Sequence, residues 1–291
     1  MKFQNQILFL IISLMMIHVS SAQKKWVDPD KQKGHLSISW GWNRAVYTKS
    51  NIIFKGDDYD FILFDVVAHD HPSKPISLKY LIPKNLTLPQ TNLRISYFIK
   101  DNLALCFADD HMKYVMDQDQ TVDMKGTITR NGNYKGVYDG KIQLTSDFLT
   151  FEHTDGLSYI NFELEKYYSW HHSKNNKTRI SGFWGGGTGF LFPRTNVRLL
   201  DYERSDRYHI AGFGLSAKAG IQVNFFRNFI IKAENKLGYI NMPDIKLHKT
   251  GIKGRGEQDF CFAEWYITFG VAFDARNKEK RKRDNRKENY N

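Results

Sequence analysis

The sequence predicts an all-β protein: a transmembrane, antiparallel, up-and-down β-barrel of about eight strands. Three observations predict this fold. Apolar residues alternate with small or polar residues over most of the chain, as expected for strands with a different environment on each face. An apolar segment near the N-terminus predicts export, and after it no run approaches the roughly twenty apolar residues of a transmembrane helix. Finally, short and long connections alternate between the strands.

The first residues have the three parts of a secretory signal peptide. Lys2 gives the N-terminus a positive charge, residues 7–17 are apolar, and residues 20–22 are small, as a signal peptidase requires. The apolar run is too short to span a membrane comfortably as an anchor. We therefore expect a signal peptide over residues 1–22.

Eight segments show the period of two. In the clearest, residues 209–225, Phe213 and Leu215 belong to an apolar row that faces away from Gly214 and Ser216. Lipid on one side and a crowded polar interior on the other would account for such a strand. The other seven segments lie at residues 36–43, 92–99, 103–108, 159–165, 180–192, 229–239 and 261–273.

The connections between these segments predict the topology. The short ones lie at residues 100–102, 173–176 and 227–228, and the long ones at 47–90, 117–155, 193–207 and 241–258. A membrane barrel with short turns at one end and long loops at the other explains this alternation, whereas a soluble β-sandwich, the competing interpretation, gives no reason for it. Residues 59–67 in the first long connection are also strand-like, and if they joined the wall the count would become about ten.

From Leu36 to Phe273 the chain resembles the eight-stranded bacterial outer-membrane barrels of the OmpA and OmpX type. The resemblance rests on the signal peptide, the architecture and an aromatic residue, Phe273, that ends the apolar row of the last strand. It implies an outer-membrane location with periplasmic termini, contact with outer-membrane lipid and lipopolysaccharide, and an extracellular ligand at the loops. The implied organisation is a signal peptide (1–22), an N-terminal periplasmic segment (23–34), the barrel (35–274) and a flexible basic tail (275–291).

The rows that should face the barrel interior carry charges of both signs. An eight-stranded barrel is only wide enough for side chains to fill it, and buried charges must be paired. We therefore predict an ion-pair network that plugs the lumen; the alternative is a narrow polar transport pore. The predicted network consists of Arg94, Glu163, Glu165, Lys218, Lys232, Glu234, Lys236 and Glu264.

Three acid–histidine clusters are candidates for a metal site on the external side. Imidazole and carboxylate groups bind divalent metals, but no spacing here matches a known motif, and polar loop residues need no special explanation. The sequence accordingly predicts no cofactor. The candidate ligands are His69, His71, Asp109, His111, His153 and Asp155.

Residues 151–155 also resemble a short stretch of the lipid A 3-O-deacylases, barrels in which a catalytic histidine precedes a serine nucleophile by two positions. His153 matches the histidine, but Asp155 occupies the serine position and is a poor substitute for an activated hydroxyl. Glu163 or Glu165 would have to orient the imidazole. The leading interpretation is thus a non-enzymatic surface barrel, with a lipid-active acyl hydrolase or a narrow pore as alternatives.

The charge distribution argues against a nucleic-acid partner, and the cysteine positions argue against a disulfide. The net charge is +11, but residues 276–291 alone carry eight cations against three anions, and the rest of the chain has no basic stripe, so nucleic acid is not an expected partner. Cys106 should point inward and Cys261 outward on strands that are not adjacent, which predicts no disulfide between them.

Overall fold

The computed structural model describes residues 32–71, 90–173, 178–205, 208–226 and 228–276, without the side chains of Thr154 and Asp155. The signal peptide, most of the N-terminal segment and nearly all of the basic tail predicted from the sequence lie outside these residues. No helix in the described part is long and apolar enough to cross a membrane. The strands are β1 (His35–Tyr47), β2 (Ser50–Gly56), β3 (Tyr59–Val66), β4 (Ala68–Asp70), β5 (Thr91–Lys100), β6 (Leu103–Met116), β7 (Thr121–Ile128), β8 (Gly136–Gln143), β9 (Leu149–His172), β10 (Thr178–Pro193), β11 (Asn196–Leu199), β12 (Gly212–Phe225), β13 (Phe229–Lys246) and β14 (Gly254–Asp274).

Eight of these strands close a ring. They follow the order β1-β5-β6-β9-β10-β12-β13-β14, and β14 returns to β1 through an antiparallel register that runs from His35 opposite Asp274 to Tyr47 opposite Phe262. Every neighbouring pair in the ring is antiparallel. Each of the eight strands corresponds to one of the eight segments predicted from the alternation, although β12 begins three residues later than predicted. The predicted all-β, antiparallel barrel is confirmed.

The strands are much longer than a membrane requires. β9 has 24 residues, β14 has 21 and β13 has 18. A barrel strand crosses the hydrocarbon layer in about 9–11 residues. At about 3.3 Å per residue, β9 extends over about 80 Å, against an apolar band roughly 25 Å tall. More than half of β9 must therefore lie beyond the hydrocarbon layer.

The two faces of the barrel wall exchange their polarity along the strands. On β13 the buried row, after Ile230, carries Lys232, Glu234 and Lys236 and continues with Ile240 and Met242. On β14 the buried row changes in the same way, from Glu264 and Tyr266 to Phe262 and Phe260. We call the part of the barrel with the charged interior the lower section; it ends in the short turns. We call the part with the apolar interior the upper section.

The exterior changes in the opposite sense. In the lower section the exposed side chains are large and apolar; on β14 they are Trp265, Ile267 and Phe269. Above them the same outward row carries Asp259 and Glu257. Apolar groups are stable next to hydrocarbon and are driven away from water, so this pattern places the lower section in lipid and the upper section in water.

The long connections of the sequence are folded into the upper section. β2 follows β1 after two residues and pairs with β14, from Gly56 opposite Gly254 to Ile52 opposite Gln258. From there β3, β7 and β8 extend the sheet in order, while β4 pairs with β6 and β11 with β9. The expectation of long loops is therefore wrong for these segments. The ten-strand alternative is also wrong, because the β2–β3 hairpin pairs with β14 beyond the end of β1 and the ring stays at eight.

An apolar core holds the upper section together. Phe54 and Phe61 stack with ring centroids 4.9 Å apart, and Tyr114 stacks on Phe260 at 5.0 Å. Phe151 contacts Phe54 at 6.0 Å and belongs to the same buried cluster. Burying a large apolar side chain contributes about 1.5–3 kcal/mol. This core therefore gives the upper section a source of stability that is independent of the surrounding lipid.

The glycine run of β10, which obscures the facing of this strand in the sequence, lies where two strands approach closely. A Cβ atom added at Gly187 would lie 2.0 Å from the carbonyl oxygen of Phe162 on β9, and one at Gly185 would lie 2.3 Å from the carbonyl oxygen of Leu164. Real side chains do not tolerate such distances. These glycines therefore allow β10 to pack against β9 as the ring closes.

Candidate functional site

The interior of the lower section is filled by nine charged side chains from six strands. Between them they form eight ion pairs among the described residues, and their side chains are almost completely buried. The strands place them there because their alternate residues all point into the ring. The nine residues are Arg94, Asp110, Glu163, Glu165, Lys218, Lys232, Glu234, Lys236 and Glu264.

Lys218 on β12 contacts the largest number of these partners. Its Nζ lies 2.7 Å from Glu163, 2.5 Å from Glu165 and 2.9 Å from Glu234. Lys232 is 3.3 Å from both Glu165 and Glu234. Three carboxylates and two ammonium groups thus form a continuous cluster between β9, β12 and β13.

A second set of contacts crosses the barrel. Lys236 on β13 lies 2.5 Å from Asp110 on β6 and 2.6 Å from Glu163 on β9. β6 and β13 stand on opposite sides of the eight-stranded ring. Asp110 is also paired with Arg94, whose guanidinium lies 4.6 Å from the centre of the Tyr266 ring. Side chains therefore bridge the full width of the lumen.

Neutral groups complete the network. The hydroxyl of Tyr266 donates to Glu234 at 2.9 Å, and that of Tyr167 donates to Glu165 at 2.8 Å. Glu264 accepts from the Asn92 amide at 2.9 Å, and no cation among the described residues lies within 4.0 Å of it. The network thus holds five carboxylates and four cations, and the fifth carboxylate is bound by an amide instead of a cation.

Apolar side chains close both ends of the charged region. At the end with the short turns, Tyr167 stacks on Phe183 at 5.0 Å and contacts Phe98 at 5.0 Å. At the other end, Tyr159 contacts Phe262 at 6.2 Å as part of the upper core. Apolar side chains therefore lie at both ends of the ion-pair network, while beside β1 and β5 hydrogen bonds through Asn92, Asn43 and Gln90 continue it into the upper section.

All eight residues of the predicted network point into the lumen, and the ninth, Asp110, was missed. Its neighbours Asp109 and His111 are among the metal ligands that the sequence suggests. Asp110 nevertheless shares its row with Cys106 and Ala108, which the alternation places inside the barrel. Its position in that row was the signal that could have identified it.

The structure does not bring the candidate metal ligands together. His69 pairs with Asp117 and lies near His71, with ring centroids 6.2 Å apart. His111 instead contacts Ser158 at 3.1 Å, His153 is buried in the upper core, and the side chain of Asp155 lies outside the described part. Within the described residues, the one group with metal-like spacing is Cys106, Glu163 and Glu165, and Lys218 already occupies the space between its two carboxylates.

His153 does not have the surroundings of a hydrolytic histidine. Its Nδ1 lies 2.8 Å from the Thr195 hydroxyl and its Nε2 3.4 Å from the Gln258 carbonyl. Burial lowers the pKa of His153 to about 4, although the bond to Gln258 acts in the opposite direction. Glu163 is ten residues away along β9, or about 33 Å, and is held by Lys218 and Lys236. The expectation that Glu163 could orient His153 is therefore wrong.

Two further observations bear on the predictions. Cys106 and Cys261 are both free, so the absence of a disulfide between them is confirmed. Cys106 is buried among the lumen side chains and Cys261 is exposed on the outer face of β14.

The fold and this site define a class. A closed antiparallel barrel with apolar residues outside, paired charges inside and short turns at one end is the architecture of an outer-membrane β-barrel. No family model and no curated protein sequence matches the chain.

Among solved structures, the chain is similar to several outer-membrane proteins. It is 14% identical to the attachment invasion locus protein Ail of Yersinia pestis, covering 83% of this chain and 99% of that one, with a TM-score of 0.31. It is 12% identical to OprG of Pseudomonas aeruginosa over 86% and 100% of the two chains (TM-score 0.40). It is 10% identical to Neisserial surface protein A over 83% and 97% (TM-score 0.33). The assignment of the fold rests on the strand pairing within this chain, not on these similarities.

Proposed function

We propose that this protein is a closed surface barrel whose lower section is held in outer-membrane lipid and lipopolysaccharide, and whose upper section is a folded platform for an extracellular ligand. The observation that carries the proposal is the change of polarity along the wall. The lumen is filled in the section that lies in lipid, and a separate apolar core stabilises the section that lies in water.

The ion pairs favour a plug over a transport pore. For a solute or ion to pass, contacts such as those of Lys218 with three carboxylates would have to break inside a low-dielectric interior. Removing one partner of a buried ion pair costs about 3–5 kcal/mol. Several such contacts lie in series along the barrel, so opening it would require the loss of a large part of its stability.

The upper section offers concave polar surfaces for a ligand. One cleft of about 620 Å³ is lined by Arg198, Tyr202, Glu203 and Lys249, among others. Another of about 820 Å³ lies between the β2–β3 turn and the β13–β14 connection, where Lys55, Lys246 and Arg255 contribute positive charge. Their mixed charge suits a polar extracellular molecule better than a lipid chain.

The orientation is part of the proposal. Both ends of the described chain leave the barrel beside the short turns, because His35 pairs with Asp274 at that end. If the upper section is extracellular, then both termini and the basic tail are periplasmic, as expected for short periplasmic turns.

The test combines topology with conductance. In a Cys261→Ser background, Asp139→Cys on β8 and Asn102→Cys in the β5–β6 turn place one exposed thiol at each end. A membrane-impermeant maleimide should label the first in intact cells and the second only after the outer membrane is opened. The purified barrel should leave a planar bilayer silent. Labelling of Asn102→Cys in intact cells, or conductance steps that scale with protein, would contradict the proposal.

A further inference from the structure

The sheet of the upper section ends in a strand with an open edge. β8 pairs with β7 from Thr121 opposite Gln143 to Ile128 opposite Gly136, and among the described residues no strand pairs with its other edge. Its outward side chains are exposed, and Val137 is 83% exposed. The strand contains no proline and no bulge, two features that protect an edge from pairing with another chain. Its charges, Asp139 and Lys141, would oppose pairing only with a strand that does not place opposite charges against them.

The backbone groups available at this edge can be assigned. The amide of Leu144 donates to the carbonyl of Gln120 at 2.8 Å, and the carbonyl of Leu144 accepts from the amide of Asp119 at 3.0 Å. Leu144 thus directs its backbone groups toward β7. Because successive residues of a strand direct these groups to opposite edges, Val137, Asp139 and Lys141 direct theirs to the open edge. Gln143 offers only its amide there, since its carbonyl accepts from the amide of Thr145 at 3.0 Å.

The sequence of β8 is complementary to itself. If two copies of this strand pair antiparallel about Gly140, Asp139 of one copy lies opposite Lys141 of the other, and Tyr138 lies opposite Ile142. A register centred on Asp139 would instead place two aspartates opposite each other, and one centred on Lys141 would oppose two lysines. Like charges directly opposite are destabilising and unlike charges stabilising, so the charges select the register about Gly140.

The central residue fits this arrangement. In the register described, Gly140 meets its own copy as a non-hydrogen-bonded pair, with Cα atoms about 4.5 Å apart. A Cβ atom added at Gly140 would meet nothing within 4 Å in the single chain. A side chain placed at Gly140 is therefore accommodated by the single chain, which makes this position suitable for cross-linking.

We infer that the open edge of β8 pairs with the same edge of a second copy of this chain, forming a symmetric dimer through the upper section. The interface is isologous, since each copy contributes the same strand. It extends the sheet across the two molecules, and main-chain hydrogen bonds supply the attraction while the Asp139–Lys141 pairs set the register. This pairing goes beyond the proposed function and does not depend on it.

Disulfide trapping tests the register. In a Cys261→Ser background, the variant Gly140→Cys in detergent should form a disulfide-linked dimer on mild oxidation, seen by non-reducing electrophoresis and reversed by a reductant. The matched control is Asp123→Cys, exposed on β7 one strand in from the edge, which should remain monomeric. Equal cross-linking of the two variants, or no cross-linking of Gly140→Cys, would overturn the inference. An absence of cross-linking is the result expected if residues 72–89 of the same chain occupy the edge instead.

Charge exchange tests the recognition without a new cysteine. Asp139→Lys and Lys141→Asp each create like charges across the interface, and each should raise the dimer dissociation constant by about tenfold. Mixed together, the two variants restore opposite charges at both positions and should form a heterodimer as tight as the original dimer. Sedimentation in density-matched detergent measures all three. A wild-type chain that is monomeric, or a mixture no more dimeric than the separate variants, would overturn the inference.

Discussion

Replacing Lys218 by methionine should destabilise the barrel far more than a typical ion-pair deletion. The substitution keeps most of the side-chain length but removes a charge that lies 2.5–2.9 Å from three buried carboxylates. Five lumen carboxylates would then face three cations. Because each of those carboxylates is sealed from water, we expect the free energy of unfolding to fall by about 3–5 kcal/mol.

The matched control is Lys249→Met in the upper section. Lys249 pairs with Glu203 at 2.8 Å, a distance similar to those of Lys218, but the two side chains are 67% and 71% exposed. Water screens such a pair, so its loss should lower the free energy of unfolding far less than the loss of Lys218 does. Urea unfolding of the protein folded into lipid vesicles, followed by tryptophan fluorescence, measures both changes.

A second variant distinguishes charge from packing. In Lys218→Met, Glu165 keeps only its longer contact with Lys232, at 3.3 Å. Adding Glu165→Gln lowers the excess of carboxylates over cations, so the double variant should be more stable than Lys218→Met alone. If Lys218→Met lies within 1 kcal/mol of Lys249→Met, or if the added change makes it worse, the lumen charges do not form the paired network described here.

Three further perturbations have defined outcomes. Burial lowers the pKa of His153 to about 4, from about 6.5 for an ordinary histidine. Protonation therefore opposes folding, and about 3 kcal/mol of stability should be lost as the pH falls from about 6.5 to about 4. Urea midpoints should fall over this range for the wild type and change less for His153→Gln. Phe61→Ala should cost about 3–5 kcal/mol and expose the upper section to protease while the lower section stays protected. Gly187→Val should prevent ring closure, because its Cβ would lie 2.0 Å from the Phe162 carbonyl oxygen. The control is Gly140→Val, whose Cβ meets nothing within 4 Å. The difference in electrophoretic mobility between heated and unheated samples should be lost in Gly187→Val and kept in Gly140→Val.

The lower section could be predicted because each of its strands faces two contrasting environments. On β12, Leu215 and Ile221 face outward while Lys218 and Gln222 face the lumen, so the period of two is visible directly. The same alternation also identified eight of the nine lumen charges. Their pairing partners could not be predicted, because they depend on the stagger of strands such as β6 and β13 across the ring.

The upper section could not be predicted because the rows exchange roles along a single strand. Phe260 and Phe262 on β14 are buried in the same row as Glu264, and between them Cys261 and Ala263 belong to the outward row. At this point both rows are apolar, so the alternation disappears just where the environment changes. The strands beyond it were therefore assigned to loops, and His153 on the wall of the upper core was interpreted as an external residue.

The most direct test of this description is a comparison of two positions on the outward row of β14. In a Cys261→Ser background, nitroxide labels at Asp259→Cys and Ile267→Cys stand on the same face of one strand, above and below the change of polarity. In lipid vesicles, the label at position 267 should collide mainly with oxygen dissolved in the bilayer, and the label at position 259 mainly with a water-soluble nickel complex. If the nickel complex reaches both labels equally, the lower section does not lie in lipid and the account of this barrel is wrong.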